Sequence, residues 1–375
     1  MSFLQELQQY PQTQLRERIL ATTPAQIDQA LRRPRLSPED FASLLSPQVS
    51  DDQLEEMASQ AHRITSQRFG RIIQLYAPLY LSNECHNGCK YCGFNADNDM
   101  PRRTLTMPEI EAEAQVLRQH GFRHLLLLTG EAPKVAGIDF LEAAIKQIKP
   151  LCGSISIEVF PMDFDGYVRM VKAGVDGLTV YQETYNIELY RELHPYGPKS
   201  NYEFRLQAPE AAGEAGLRRI GVGALLGLGD CLTDVFYTGL HALYLARRFW
   251  RTQVTISFPR LCPAEGGFQP RSLVSDRQLT QFICALRLLI HDAGLILSTR
   301  ESSELRDNLL PLGITQMSSG SCTAPGGYSD ESDEGQQFAI SDERSPAEFA
   351  KLLAARGYEA VWKDWDNAFL ESAKL

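Results

Sequence analysis

Residues 106–131, "TMPEIEAEAQVLRQHGFRHLLLLTGE", join two different textures end to end. In the first half apolar side chains recur at Ile110, Ala114 and Leu117, the spacing of one helix face. The second half is a short unbroken apolar run closed by a Thr-Gly-Glu turn, the mark of a strand covered on both sides. A helix feeding a buried strand is half of a parallel-sheet repeat, so the fold depends on how often the pair recurs.

Further apolar runs lie at "IIQLYAPLYLS" (72–82), "ISIEVF" (155–160), "GLTVYQ" (177–182), "RIGVGALLGL" (219–228), "QVTISFP" (253–259), "LILSTR" (295–300) and "GITQMSSG" (313–320). Helical patterns separate them, among them "DFDGYVRMVKAG", "TDVFYTGLHALYLARRFW" and "SDRQLTQFICALRLLIHDAG". Alternation of this kind implies a parallel sheet with right-handed crossovers. Roughly eight units over roughly 250 residues predict an α/β fold of the closed (β/α)8 barrel type. The rival, an open doubly wound sheet, lacks a G-x-G-x-x-G after its first strand. Residues 1–70 are polar and helix-biased, with N-caps in "SPEDFASLLS" and "SDDQLEEMASQ". They are expected to form a helical N-terminal extension, outside the barrel core and free to meet a partner. The barrel is expected over 71–320 and a C-terminal segment packing on it over 321–375, acidic and flexible at first and then helical.

The chain has 375 residues, a formal charge of −10 and a pI near 5.3, which argues against a nucleic-acid partner. No apolar run reaches transmembrane length and the N-terminus has no secretory apolar core, so a cytoplasmic protein without a membrane partner is expected. In that reducing compartment eight cysteines are not a disulfide framework. Cys152, Cys231, Cys262, Cys284 and Cys322 are scattered and read as small apolar residues.

Cys85, Cys89 and Cys92 are not scattered. "NECHNGCKYCGF" (83–94) places them in a C-x3-C-x2-C run directly after the first strand, where a barrel keeps its chemistry. Such a loop can bring three thiolates to three corners of one cubane, leaving the fourth iron without a protein ligand. Structural zinc sites and ferredoxin runs supply four. His86 adjoins Cys85 and is poorly placed to bind the same ion. A zinc knuckle or unmetallated thiols remain the structural alternative.

With Tyr91 before the third cysteine, "CHNGCKYC" resembles the cluster motif of the radical S-adenosylmethionine (SAM) enzymes. The resemblance implies one 4Fe-4S cluster held by Cys85, Cys89 and Cys92, its fourth iron chelated by SAM. It also implies one-electron cleavage of SAM to methionine and a 5′-deoxyadenosyl radical. Gly130 and Glu131 in "LTGEAP" resemble the glycine-rich turn that receives the SAM amino group, although an ordinary strand exit reads the same way. Glu158, at the third strand end, is a candidate for the ribose hydroxyls or for an ion pair across the mouth. Tyr181, Gln182 and Glu183 end the fourth strand and are candidates for the cofactor pocket or for packing.

"PLYLSNECHNGCKYCGF", "GLTVYQETYN", "LSTRE" and "SSGSCTAPGGYSD" together resemble the aromatic amino acid lyase branch, and within it the ThiH or 2-iminoacetate synthase family. That family cleaves the Cα–Cβ bond of L-tyrosine to 2-iminoacetate and 4-cresol for the thiazole of thiamine. Hydrogen abstraction from the tyrosine amino group, a thiazole synthase partner and a flavodoxin or ferredoxin-type reductant are implied with it. The maturase of iron–iron hydrogenase holds a second cluster on a cysteine-bearing extension, whereas here the last cysteine is Cys322. A tryptophan-processing lyase and a non-catalytic iron–sulfur protein are the competing readings. Arg300 is the candidate for the substrate carboxylate, because its fork binds one bidentately; an ion pair with Glu301 or Glu158 is the alternative. Tyr80 is a candidate facing the cluster and the substrate's amino end, and Ser319 and Ser321 are hydrogen-bonding candidates.

Overall fold

The computed structural model describes residues 2–330 and 334–363. The run at 72–82 forms the strand β1 (Ile72–Ser82). It is followed by β2 (His124–Thr129), β3 (Ser154–Glu158), β4 (Gly177–Glu183), β5 (Arg219–Ala224), β6 (Gln253–Ser257), β7 (Gly294–Leu297) and β8 (Gln316–Ser318). Neighbours pair in parallel throughout, and both β2 and β8 pair with β1, so the sheet closes into an eight-stranded barrel. The apolar runs are unbroken because each strand is covered twice. On β2, Leu125 and Leu127 join the core under the surrounding helices, while Leu126 and Leu128 face an aromatic cluster inside the barrel.

The first 70 residues correct the expectation of a surface free of the core. Helices Phe3–Leu7, Gln12–Leu20, Pro24–Leu31, Pro38–Leu44 and Asp51–Phe69 bury Phe3, Ile19, Phe41 and Met57 in the same apolar cluster as the barrel helices. Phe3 stacks on His241 at 3.9 Å, and the Gln281 amide donates to the carbonyls of Leu44 and Ser46 at 2.8 and 2.9 Å. The physical reason lies in the partners: the barrel helices Cys231–Arg248 and Asp276–Leu289 carry apolar side chains on more than the face turned to the barrel, and the N-terminal helices cover the rest.

After β8 the chain turns back over the barrel mouth as a strap. Tyr328 and Ser329 donate their backbone N–H groups to the buried Glu113 carboxylate at 3.1 and 2.7 Å, and the Tyr328 hydroxyl donates to Pro78 O at 2.8 Å. Asp342 forms a buried ion pair with Arg306, and Arg344 joins it. The stretch expected to be flexible is therefore anchored on both sides of residues 331–333, which lie outside the described residues. Beyond the strap come a helix, Pro346–Ala355, and β9 (Glu359–Val361), which pairs with β1 at Ile72–Gln74, the end away from the mouth. Residues 364–375 of the expected C-terminal segment also lie outside the described residues.

Candidate active site

The loop after β1 carries Cys85, Cys89 and Cys92 as free thiols, Cys89 buried and the other two half-buried. Its shape depends on glycine. A Cβ on Gly130, at the end of β2, would sit 2.2 Å from Glu84 O, so only glycine lets that strand end pass beneath the loop. Asn87 fixes the turn between the first two cysteines. Its side-chain oxygen accepts from Lys199 N at 2.8 Å, and its NH2 group donates to Glu131 Oε2 at 3.0 Å and to Cys85 Sγ at 3.6 Å. Tyr91 donates its hydroxyl to His194 Nε2 at 2.9 Å, while His194 Nδ1 donates to Tyr190 O at 2.7 Å. Burial pushes His194 down to about 3, so the ring is neutral and that tautomer is the one the contacts require. His86, the conceivable fourth ligand, is exposed.

A buried charge network backs the loop. Arg205 pairs with Glu131 at 2.8 Å, Lys199 with Glu183 at 2.7 Å, and Arg205 approaches Glu183 at 3.8 Å. Burial opposes ionisation of Glu183, yet Lys199 and Arg205 outweigh it and hold the carboxyl below its ordinary value. Glu183 also sits at φ +70°, a left-handed conformation rarely taken by a glutamate, beside a register shift in the β4–β5 pairing. The conformation is retained because two cations hold the side chain.

The mouth encloses a cavity of about 1120 Å³, counting the solvent space at its opening. Cys92 and Tyr91 form one wall; Tyr76, Tyr80, Tyr181, Leu126, Leu128 and Ile296 make an aromatic and aliphatic slot beside it. Glu158 projects into the cavity with no hydrogen bond or ion pair in the described residues. Burial, then the charge of Glu183, pushes its carboxyl up to about 7. Arg300 lines the opposite side, its guanidinium 3.3 Å from the ring centroid of Phe338 in the strap. Glu301, its alternative partner, is taken by Arg260 at 3.0 Å, and Arg300 has no ion pair in the described residues. Ser321 also lines the cavity, with a buried hydroxyl that has no hydrogen-bond partner among the described residues.

Not every candidate reaches this space. Gly130 and Glu131 shape the thiol loop from behind, and the Glu131 carboxylate is committed to Arg205 and Asn87. Gln182 turns away, donating to Tyr202 O at 3.4 Å, because alternate residues of a strand face opposite sides. Ser319 is buried, its hydroxyl without a hydrogen-bond partner among the described residues, and it does not line the cavity. Sequence reasoning missed Asn87, Lys199, Arg205, Gln337 and Phe338. Asn87 alone carried a signal, an amide inside the thiol loop; the others arrive from distant loops and the strap.

Three uncrosslinked thiols on one loop, an amide N–H on the sulfur of Cys85, and an adjoining cavity with an unpaired carboxylate and guanidinium fit a cluster with a bound organic cofactor. Residues 79–235 match the profile of the Radical SAM superfamily, and residues 257–359 match that of the Biotin and Thiamin Synthesis associated domain. Over 354 residues the chain is 42% identical to the 2-iminoacetate synthases of Salmonella typhimurium and Escherichia coli, covering 94% of this chain and of each relative. The crystal structure of HydG, a maturase of the [FeFe]-hydrogenase, superposes with a TM-score of 0.86 at 32% identity, covering 99% of this chain and 83% of HydG. The barrel, the thiol loop and the extent of these likenesses agree: the chain belongs to the 2-iminoacetate synthase family of radical SAM enzymes.

Proposed function

We propose that the chain cleaves the Cα–Cβ bond of L-tyrosine to 2-iminoacetate and 4-cresol, with SAM cleaved to methionine and 5′-deoxyadenosine, for thiazole synthesis. Arg300 carries this reading: a guanidinium without a carboxylate partner in the described residues, held flat on Phe338 and facing an aromatic slot beside Cys92. An amino acid carboxylate completes that fork bidentately, and an aromatic side chain fills the slot. The relatives at 42% identity are 2-iminoacetate synthases, which supports the same product.

In this reading Cys85, Cys89 and Cys92 would hold a single 4Fe-4S cluster, with SAM as the ligand of the iron they leave open. When bound, that pair supplies the one-electron cleavage that generates the 5′-deoxyadenosyl radical. Glu158 accepts from the ribose hydroxyls, and Glu183 with Lys199 brackets the cofactor beside the thiol loop. Tyr80 and Ser321 face the substrate's amino end, while Tyr76, Tyr181 and Ile296 enclose the ring and keep water from it. The chain's contribution is placement of the tyrosine nitrogen rather than proton transfer. Cα–Cβ homolysis leaves the ring fragment one electron short, so one electron and one proton complete 4-cresol, and each turnover draws two electrons from a flavodoxin or ferredoxin-type reductant. Because 2-iminoacetate hydrolyses readily, association with a thiazole synthase shortens its path to use.

Anaerobic incubation of the reconstituted chain with SAM, dithionite and each aromatic amino acid tests the reading. The expected outcome is 4-cresol, with glyoxylate from hydrolysed iminoacetate, in amounts equal to 5′-deoxyadenosine. An indole product from tryptophan and none from tyrosine assigns the tryptophan lyase; absence of SAM cleavage assigns a non-catalytic iron–sulfur protein.

A further inference from the structure

The strap contributes a second side chain besides Phe338, and it touches the thiol loop itself. Gln337 receives the Tyr80 hydroxyl on Oε1 at 2.7 Å and directs Nε2 to Cys92 Sγ at 3.8 Å. The opposite amide orientation would set a carbonyl oxygen against sulfur, so the sulfur selects this one. An independent feature shows that the approach is built in. A Cβ on Gly93, the residue after Cys92, would lie 2.4 Å from Gln337 O, so the strap lies this close only because glycine stands there. Gly335 is fitted in the same way, with a would-be Cβ 2.7 Å from Asn83 Nδ2. Tyr80 meanwhile lines the substrate cavity.

We infer that Gln337 is a positioning residue that couples the substrate slot to the cluster, its amide N–H bonding the Cys92 sulfur and its carbonyl holding Tyr80. This rests on the reading of Cys92 as a cluster ligand. An N–H donor at a cysteine sulfur stabilises the reduced, more negative cluster and raises its reduction potential. A substrate that moves Tyr80 moves the carboxamide with it, so tyrosine binding and the potential are linked, each shifting the other by the same factor.

The test is a redox titration, followed by EPR, of the reconstituted full chain with and without tyrosine. In Gln337→Met, which keeps the length and loses the donor, the potential is expected to fall by a few-fold to about tenfold in the reduction equilibrium, up to about 59 mV for one electron. The tyrosine-induced shift expected of the wild type is expected to disappear in this variant. Gly93→Ala, which pushes the strap outward, is expected to lower the potential likewise. Phe338→Leu, which loosens the Arg300 stack and leaves the carboxamide in place, is expected to raise KM for tyrosine without moving the potential. Equal shifts in Phe338→Leu and Gln337→Met, or none in Gln337→Met while iron content matches the wild type, overturn the inference. A wild-type chain that takes up no iron overturns the cluster reading first, and this one with it.

Discussion

Arg300 is held by a ring rather than by a carboxylate, so its charge is available to a ligand without first breaking an ion pair. Lysine in its place keeps the charge and loses both the fork and the stack. Losing one hydrogen bond to a charged group costs about 1.5–3 kcal/mol, so Arg300→Lys is expected to lower kcat/KM for tyrosine by about ten- to a hundredfold. SAM affinity, measured separately, should change far less. Glu158 has the opposite problem, a buried carboxyl whose desolvation and repulsion by Glu183 outweigh the attraction of Arg300, Arg205 and Lys199. Its folded value of about 7 lies above the ordinary 4.5, so between those limits the folded chain binds more protons than the unfolded one. Stability of the cofactor-free chain therefore falls as pH rises through that window, and Glu158→Gln should flatten the melting temperature against pH there. A steeper profile in the variant would mean that another group sets it. At this scale the thiols, Arg300 and Glu158 could be picked out as candidates because each stands at a strand end, and Cys92, Arg300 and Glu158 line one cavity. It misplaced Gln182 because Tyr181, Gln182 and Glu183 are adjacent in the chain and only pleating decides which of them turns inward.

Strands and helices were legible where period and turn chemistry agreed: β1 and β2 fall where their apolar runs lie, since both of their faces are covered. The strap was not. Its composition, "GGYSDESDEGQQF", has few apolar residues, and it is anchored by single polar contacts that no periodicity announces. Chief among them is Glu113, buried on a barrel helix and accepting two backbone N–H groups from the strap. Glu113→Ala leaves both donors without that acceptor, at about 1–3 kcal/mol for each group left buried and unsatisfied. Limited proteolysis should then cut within residues 321–341 several-fold faster, while the circular dichroism of the barrel stays unchanged. If the cutting rate does not change, the anchor lies elsewhere, with Arg306 and Asp342 the next candidates. Removing Asp342 alone is expected to cost about 3–5 kcal/mol, because it strands a buried guanidinium.

Over the whole molecule, the N-terminal helices and the barrel share one apolar core, so the first 70 residues cannot be removed like a tag. Deleting residues 1–40 uncovers Phe236, Tyr237 and His241, which now pack against Tyr10 and Phe3. The expected result is a melting temperature lower by many degrees or an insoluble chain, read by calorimetry and sedimentation; a truncated chain that melts like the whole would detach these helices from the core. The proposed association with a thiazole synthase is therefore better probed by charge reversals on exposed positions than by truncation. The strap sets the order in which the finished protein can come together. Gln337 reaches Cys92 across 245 positions of sequence, and β9 reaches β1 from later still. A chain made from its N-terminus exposes the thiol loop long before the residues that cover it exist. In the proposed reading, iron and sulfide enter while that gap is open, before Gln337 is made. A completed chain stripped of its metal would have to lift the strap to be refilled, so reloading should be slower than first loading.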